Sequence, residues 1–497
     1  MAYKSITYVL CFCTIWYNSV FLKKVEGLFS NFGNAVKMTD TVSEYLGNQQ
    51  RKIGDEVNRF VKTVEEKGRK ITDSLSFVPD NENIEDEERL ENPDVVLTVP
   101  ARIQRNGYPC ETHTITSKGY ILNIHRIPSS KGGSITSYKT VILQHGLFGS
   151  SADWILNGPG KGLAYVLADA GHDVWMTNIR GNRYSREHTI LKTDTKSYWN
   201  FSWHDVALHD IPAIIDYIKK AKRGKAKLAY IGHSMGTTML FAMLSLRPEY
   251  NEQLTAGVAL APVAFMSDVK SAAKPLAPIA SNVAYMFMVY GSHEFLPKDS
   301  TLGSITKSCK DDNSDSEICK NAIFSICGYN EAQYNKTLLP VFLAHSGTGT
   351  SWKTVVHFSQ EIEAGGMFQK FDYGSYHNKR LYGSDTPPEY DLSAITLPIK
   401  LFWAQNDLLS SAKDVRKLND RLPNAEAFMA PDPNYNHLDY LWAKDAPTLL
   451  NNKLVETLEK AAIHSVLSKK KTNVISLVLV TVTGFFYLAS FDLSQTG

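Results

Sequence analysis

The sequence is short of net charge and of paired cysteines. Its 53 Lys and Arg residues nearly balance 51 Asp and Glu residues, so the formal net charge of the 497-residue chain is only +2. Because a chain without a basic surplus has no field to attract a polyanion, we expect no nucleic-acid partner. Of the six cysteines, Cys11 and Cys13 lie in an apolar leader, Cys110 stands alone, and Cys309, Cys319 and Cys327 cluster without a C-x-x-C pair or a metal-like spacing from histidine. No metal site is therefore expected.

The apolar segment at the N-terminus also lacks something. Ser5 to Leu22 follows Lys4 and ends at Lys23, which is typical of a signal sequence, but no A-x-A-like cleavage site follows it. Residues 1–24 therefore predict either a removed signal peptide or an uncleaved signal anchor.

Other features agree with passage through the secretory pathway. Asn200 and Asn335 begin N-x-S/T glycosylation sequons, which matter only if the chain enters that pathway. Cys309, Cys319 and Cys327 cluster in sequence, and the cluster predicts one disulfide among them.

Residues 25–100 predict an N-terminal extension. Apolar residues recur at helical spacing from Ile53 to Leu75, and an acidic linker runs from Pro79 to Asp94. The polar face of this amphipathic helix carries both charge signs, so packing on the protein and a membrane-surface role stay equally open.

From residue 101 onward, strand-like runs alternate with helical runs, which predicts a mostly parallel sheet with helices on both faces. The alternation covers residues 101–265 and resumes over residues 391–465. Residues 266–390 break it and predict an inserted, mainly helical cap over the carboxyl ends of the strands. Strands are expected at Tyr120 to Ile127, Thr140 to Gln144, Asp173 to Asn178, Leu228 to Ile231, Ile399 to Ala404 and Ala425 to Ala430, and a helix from Trp203 to Lys220.

A G-x-S-x-G motif lies at the centre of this pattern. Gly232 and Gly236 flank Ser234, with the buried-strand run before the motif and a small, apolar helical run from Thr237 to Leu246 after it. A strand that turns directly into a helix needs glycine at those two places, because strand and helix approach closely there. Ser234 is therefore predicted to be a nucleophile.

A serine nucleophile requires an imidazole base and a carboxylate that orients the imidazole, in the chain order Ser, acid, His. Asp407 follows a predicted strand, and His437 follows the last one, whereas the only later histidine, His464, lies in an apolar helical stretch. Asp407 and His437 are the predicted partners, and Asp432 and Asp439 stay open as rival acids.

Acyl transfer also requires N–H donors for the developing oxyanion. The amide after the nucleophile, that of Met235, is one candidate, and Leu147 in the loop that follows Gln144 is the other. His145 in that loop is expected to hydrogen-bond to backbone rather than to act in catalysis.

With these residues placed, the chain resembles the acid lipase family of α/β-hydrolases. The matching segments are Asn106 to Pro109, Lys118 to Leu122, Leu143 to Leu147, Asp173 to Trp175, Arg180 to Asn182, Gly232 to Gly236, Asn406 to Leu409 and Tyr435 to Asp439. The resemblance implies an α/β-hydrolase fold with a cap and lid, and a lipase that cleaves neutral-lipid esters such as triglycerides or sterol esters at a lipid–water interface. It implies neither metal nor organic cofactor, a triad of Ser234, Asp407 and His437, oxyanion donors at Leu147 and Met235, and a cap disulfide between Cys309 and Cys319.

Two other functions stay open from sequence alone. A short-chain carboxylesterase would share the triad, and a catalytically inactive lipid-binding protein could share the scaffold. The long cap favours the lipase, and a complete triad argues against the inactive protein.

The chain departs from the family pattern at Met235, where the family commonly has Gln, and at both ends. In residues 466–497, the uncharged run from Val474 to Phe491 is long enough to cross a bilayer. The preceding Lys469 to Lys471 favour a cytosolic side, whereas the leader, sequons and clustered cysteines favour the lumen. We therefore expect a protein of the secretory pathway, with membrane attachment through its terminal apolar segments, and keep a cytosolic-face orientation as the alternative.

Overall fold

The computed structural model describes residues 92–133, 139–277, 294–295 and 314–461, without the side chains of residues 276 and 314–319. The predicted leader, amphipathic helix and C-terminal apolar run, and the lysines before that run, lie outside the described residues. Within these ranges, no helix is both long enough and apolar enough to cross a membrane.

Most strands of the described chain form one mixed sheet. Its order is β1-β2-β4-β3-β6-β7-β10-β11, with β5 paired to β2. The strands from β4 to β11 along this order run parallel to one another, and β1 and β5 each pair antiparallel with β2, which is itself antiparallel to β4. A separate antiparallel pair, β8 and β9, lies in the segment between β7 and β10. The strands are β1 Glu111–Ser117, β2 Tyr120–Ile127, β3 Lys139–Gln144, β4 Asp173–Met176, β5 Glu187–His188, β6 Lys227–His233, β7 Ala256–Leu260, β8 Glu294–Phe295, β9 Thr350–Ser351, β10 Ile399–Trp403 and β11 Ala425–Met429.

Helices connect the strands and also occur in the described parts of the segment between β7 and β10. A π-helical turn, Val206–Asp210, joins α3 to α4, so the helix predicted from Trp203 to Lys220 is present with an interruption. The α-helices are α1 Val99–Arg105, α2 Leu163–Asp169, α3 Trp203–Asp205, α4 Ile211–Ala221, α5 Met235–Leu246, α6 Ser314–Cys327, α7 Leu339–His345, α8 Trp352–Glu363, α9 Ser375–Tyr382, α10 Ala412–Arg421 and α11 Asp439–Trp442. A second π turn, Pro447–Asn451, leads into a helix over residues 452–461.

The core divides between the two faces of the sheet because side chains alternate along a strand. Ile142, Trp175 and Tyr230 belong to one buried apolar cluster, whereas their neighbours Val141 and Leu143 belong to the other. Burial on both faces explains why the central strands read as continuous apolar runs.

The strand order reverses direction between β3 and β6. The chain moves outward from β3 to β4 on one side and continues through β6 and β7 on the other. The carboxyl ends of β3 and β6 are therefore the switch point of the sheet, and in open sheets of this kind ligands bind at such a point. The loop that begins with His145 and the turn that contains Ser234 both leave the sheet at this point.

Candidate active site

Ser234 occupies a sharp turn between β6 and α5. Its backbone has φ 53° and ψ −119°, a conformation that L residues adopt at a cost on the order of 1–3 kcal/mol. The Ser234 amide donates to the carbonyl oxygen of Leu260 on β7 at 3.0 Å, which ties the turn to the neighbouring strand. The turn places Ser234 directly before the N-terminus of a 12-residue helix, where the helix dipole favours negative charge.

Two glycines make this turn possible. A Cβ atom on Gly232 would lie 2.5 Å from the carbonyl carbon of Gly236, and a Cβ atom on Gly236 would lie 2.4 Å from the carbonyl oxygen of Gln144. Both clashes are with backbone, which cannot swing away as a flexible side chain could. The glycine spacing of the motif therefore follows from the close approach of β6, α5 and the end of β3.

The structure brings the side chains of Ser234, His437 and Asp407 into one hydrogen-bonded chain. His437 Nε2 lies 2.8 Å from Ser234 Oγ, and His437 Nδ1 lies 2.9 and 3.1 Å from the two carboxylate oxygens of Asp407. A carboxylate can only accept hydrogen bonds, so the ring nitrogen that faces it, Nδ1, carries the proton of the neutral imidazole. The Nε2 lone pair then faces the serine hydroxyl. This is the arrangement in which an imidazole can remove the serine proton.

Backbone amides hold the Asp407 carboxylate in place. Its Oδ1 atom accepts hydrogen bonds from the amides of Leu409 at 2.9 Å and Ser410 at 2.8 Å, and the residue is buried. The backbone of its own loop therefore holds the carboxylate that contacts the imidazole.

Asp432 and Asp439, the two alternative acids, do not contact the imidazole of His437 among the described hydrogen bonds, and instead stabilise the loop around it. Asp439 is buried and accepts from the Asn436 amide at 2.8 Å, from Asn330 Nδ2 at 2.8 Å and from Trp442 Nε1 at 3.0 Å. Asp432 accepts from Asn330 and from the backbone of its own loop. His464 lies outside the described residues.

A segment at the end of α6 contacts both the loop of Asp407 and the loop of His437. The carbonyl oxygen of Cys327 accepts from the His437 amide at 3.1 Å and from the Leu408 amide at 3.5 Å. Gly328 has φ +111°, and a Cβ atom there would lie 2.1 Å from the carbonyl oxygen of Asn406. The segment between β7 and β10 therefore supports the loop of Asp407 and the loop of His437 at the same time, which the sequence did not indicate.

His233, which precedes Ser234, makes a further contact with the His437 loop that the sequence did not indicate. It is buried, and its Nε2–H donates to the carbonyl oxygen of His437 at 2.8 Å. Burial lowers the pKa of His233 to about 3, and the nearby His437 also disfavours its charged form. His233 is therefore a neutral donor that helps to hold the backbone of His437.

The two predicted oxyanion donors flank the serine turn. Within the described ranges, neither the Leu147 amide nor the Met235 amide donates to another group of the chain. Met235 is the first residue of α5 and its side chain is buried in the core, so only its amide can serve the site. Both amides are free to donate to a ligand oxygen, as an oxyanion hole requires.

His145 lies beneath the Leu147 loop and bonds to backbone, as the sequence predicts. Its Nε2 atom accepts from the Ile179 amide at 3.3 Å, so Nδ1 carries the proton and donates to the Gly146 carbonyl at 2.8 Å. Asn182 also approaches Nε2, and its amide donates to Asn178 at 3.0 Å. Burial lowers the pKa of His145 to about 4, which keeps this support uncharged.

The remaining predicted residues are two cysteines and two sequon asparagines. Cys309 and the side chain of Cys319 lie outside the described residues, so the proposed disulfide stays a prediction; Cys327 is a buried free thiol. Asn200 is exposed and accepts from Lys353 Nζ at 3.3 Å, and Asn335 is half-buried and caps a short 3-10 turn. No group of three or more His, Cys, Asp or Glu residues in the described ranges could hold a metal ion.

Comparisons with known proteins match most of this chain. A family model described as alpha/beta hydrolase fold matches residues 139–444, and one described as a partial alpha/beta-hydrolase lipase region matches residues 99–158. Lipase 3 of Drosophila melanogaster is 40% identical over 363 residues, which cover 72% of this chain and 92% of the relative. Gastric triacylglycerol lipase of Bos taurus is 39% identical over 375 residues, covering 74% and 92%. Lipase 1 of Drosophila melanogaster is 37% identical over 380 residues, covering 75% and 83%.

Replacing His233 with Gln should change how stability depends on pH. Gln can keep a donor near the His437 carbonyl but cannot take up a proton. In the wild type the unfolded chain binds a proton at His233 near the ordinary pKa of about 6.5, whereas the folded chain binds it only near pH 3. Wild-type stability should therefore fall as pH decreases through this window, by about 1.4 kcal/mol per unit of pH.

Urea unfolding at pH 7 and pH 5 tests this. From pH 7 to pH 5, the free energy of unfolding of the wild type should fall by about 2 kcal/mol more than that of the His233→Gln variant. If the difference in unfolding free energy between wild type and variant were the same at both pH values, the folded protein would titrate at His233 as the unfolded chain does.

Proposed function

Because this chain belongs to the acid lipase family of α/β-hydrolases, we propose that it is a serine ester hydrolase that cleaves neutral-lipid esters such as triglycerides or sterol esters. The observation that carries the proposal is the hydrogen-bonded chain from Ser234 through His437 to Asp407, next to two amides that donate to no other group of the described residues. A nucleophile, its base, the carboxylate that orients the base and two oxyanion donors are the full set that acyl transfer requires.

In the proposed first half-reaction, Ser234 Oγ attacks the ester carbonyl carbon while its proton passes to His437 Nε2. The carbonyl oxygen becomes an oxyanion and accepts hydrogen bonds from the amides of Leu147 and Met235. The carbon–oxygen bond to the alcohol then breaks, and the leaving oxygen takes the proton from Nε2. The products are a free alcohol and an acyl-Ser234 ester.

In the second half-reaction, water replaces the alcohol. Nε2 of His437 takes a proton from water as the water oxygen attacks the acyl carbon, and the same two amides bind the second oxyanion. Collapse returns the proton to Ser234 Oγ and releases a carboxylic acid. Asp407 stays ionised and stabilises the imidazolium during both steps.

The choice of a lipid substrate rests on the relatives and on the segment between β7 and β10. The relatives are named as lipases, two of them in Drosophila melanogaster and one, in cattle, as a triacylglycerol lipase. The inserted segment places Phe295 in contact with Phe148 of the oxyanion loop, so apolar surface lies directly beside the proposed oxyanion hole. Such a surface suits a long acyl chain better than a short, soluble ester.

We also propose that the protein acts in the secretory pathway and is attached to a membrane through its apolar ends. Support comes from the Lys4-led leader, the two sequons and the clustered cysteines. The exposed position of Asn200 and the partly exposed position of Asn335 leave both sequon asparagines at the surface.

The Ser234→Ala variant should lose ester hydrolysis and keep its fold. Loss of the nucleophile should lower kcat by a factor on the order of 10⁶, as in other serine hydrolases. The measurement is the hydrolysis of emulsified trioleoylglycerol and of soluble p-nitrophenyl butyrate by the purified full chain. Ser393→Ala, at an exposed turn, is the matched control and should be as active as the wild type.

Activity of Ser234→Ala within tenfold of the wild type would refute the proposed nucleophile. Hydrolysis of the butyrate ester alone would favour a short-chain carboxylesterase. No hydrolysis of either ester by the wild type would favour a lipid-binding protein on this scaffold.

Expression in a eukaryotic cell should give a protein that carries N-linked glycan at Asn200, Asn335 or both. Removal of glycan by endoglycosidase should increase its gel mobility, and the Asn200→Gln and Asn335→Gln variants should each show which site contributes. A chain without glycan whose catalytic domain is digested by protease in sealed microsomes would instead place the enzyme on the cytosolic face.

A further inference from the structure

The oxyanion loop, Gly146 to Gly149, has a backbone conformation that needs external support. The Gly149 amide donates to the Gly146 carbonyl at 3.2 Å, which closes a tight turn with Leu147 and Phe148 at its centre. Phe148 has φ +62°, although glycine is the residue that adopts this conformation easily. A bulky residue keeps such a conformation only where its surroundings impose it.

The direction of the Leu147 N–H depends on this turn. Leu147 N–H and Gly146 C=O belong to the same trans peptide plane and point in opposite directions. The Gly146 carbonyl accepts from His145 Nδ1 at 2.8 Å and from the Gly149 amide. A shift of Gly149 would therefore release one of the two bonds that aim the Leu147 N–H.

Thr348 bonds to this turn from the segment between β7 and β10. Its amide donates to the Phe148 carbonyl at 3.2 Å, and its Oγ1–H donates to the Gly149 carbonyl at 2.7 Å. The side chain is buried, so water does not compete for these acceptors. Two consecutive carbonyls of the strained turn are thus held by one residue that lies about 200 positions further along the chain.

We propose that Thr348 is a positioning residue for the oxyanion hole. On the basis of the proposed ester hydrolysis, the Thr348 hydroxyl fixes Gly149, Gly149 closes the turn, and the closed turn directs the Leu147 N–H toward the substrate oxygen. Thr348 does not touch the reacting atoms in this account, and its effect passes entirely through the loop.

Aromatic contacts support the same loop from a second direction. The Phe148 ring stacks on Phe295 of β8 with ring centroids 5.3 Å apart, and Phe295 packs edge-on against Trp352 at 4.4 Å. Phe295 also pairs with Thr350 of β9, two residues after Thr348. The loop, β8 and β9 therefore form one connected unit, with the Thr348 hydroxyl as its polar link to the Gly149 carbonyl.

Thr350 provides a matched control within this unit. Its Oγ1 atom is buried and has no hydrogen-bond partner among the described residues. A Thr-to-Val change at position 350 therefore makes the same chemical replacement two residues away without removing a hydrogen bond to the oxyanion loop.

The experiment compares the full-length wild type with Thr348→Val, Thr348→Ser and Thr350→Val. Kinetics with p-nitrophenyl butyrate give kcat and KM separately, and thermal unfolding gives Tm. Loss of one complete oxyanion donor costs roughly 10²–10³ in kcat, and a misdirected donor should cost less. We expect Thr348→Val to lower kcat about tenfold with KM changed less than about twofold. Thr348→Ser, which retains the hydroxyl, and Thr350→Val should both resemble the wild type.

Amide hydrogen exchange of the peptide that covers residues 145–150 tests the bracing independently of activity. The Gly149 amide should exchange faster in Thr348→Val than in the wild type, and should not change in Thr350→Val, because only the first variant frees the turn.

Each result has a distinct meaning. Unchanged exchange in Thr348→Val, a kcat within twofold of the wild type, or a change in KM alone would overturn the proposal. Equal loss in Thr348→Ser would do so as well, because a hydroxyl that is still present would have failed to position the loop. If Gly149 exchanges faster in Thr348→Val as expected but the wild type hydrolyses no ester, the proposed function is refuted and only the bracing of the loop by Thr348 stands.

Discussion

The close approach of β6, α5 and the end of β3 is the constraint on which the rest of the site depends. Gly232 and Gly236 leave no room for a Cβ atom at either contact, and Ser234 between them is held at φ 53°. The turn places Ser234 directly before the first residue of α5, where the helix dipole favours negative charge. Any residue larger than glycine at these places would separate the strand from the helix. The backbone conformation of Ser234 is therefore a consequence of backbone packing, and the nearby side chains are placed relative to it.

His437 must meet this fixed serine, and it is held from three directions. Asp407 binds its Nδ1 atom, the Cys327 carbonyl binds its amide, and His233 donates to its carbonyl oxygen. The oxyanion loop is held in a similar way, by His145 from beneath and by Thr348 from the inserted segment. The inserted segment thus contacts the acid loop, the base loop and the oxyanion loop. These contacts end on backbone groups of the loops that hold Asp407, His437 and Leu147.

Much of this could be predicted from sequence, and the remainder could not for identifiable reasons. The run Tyr120–Ile127 is rich in β-branched and aromatic residues, and it forms a strand with the predicted bounds. The strand Ala256–Leu260 was not predicted, because it is short, has small residues and contains Gly257. Chain order singled out Ser234, Asp407 and His437, which the structure brings together. It could not indicate Cys327 or Thr348, because their decisive bonds involve main-chain carbonyls and partners that are 81 or more residues away in the chain. The predicted domain boundaries, disulfide and terminal membrane segments stay predictions.

The proposed ester hydrolysis requires that Ser234, activated by His437, forms the covalent intermediate. Its most direct test is to treat the full-length protein with a p-nitrophenyl alkylphosphonate and to map the labelled peptide by mass spectrometry. We expect one phosphonyl group per chain, located on Ser234, and a label that forms far more slowly in His437→Ala because the hydroxyl is no longer deprotonated as it attacks. A label on a different residue, or equal labelling of Ser234 in wild type and His437→Ala, would contradict it.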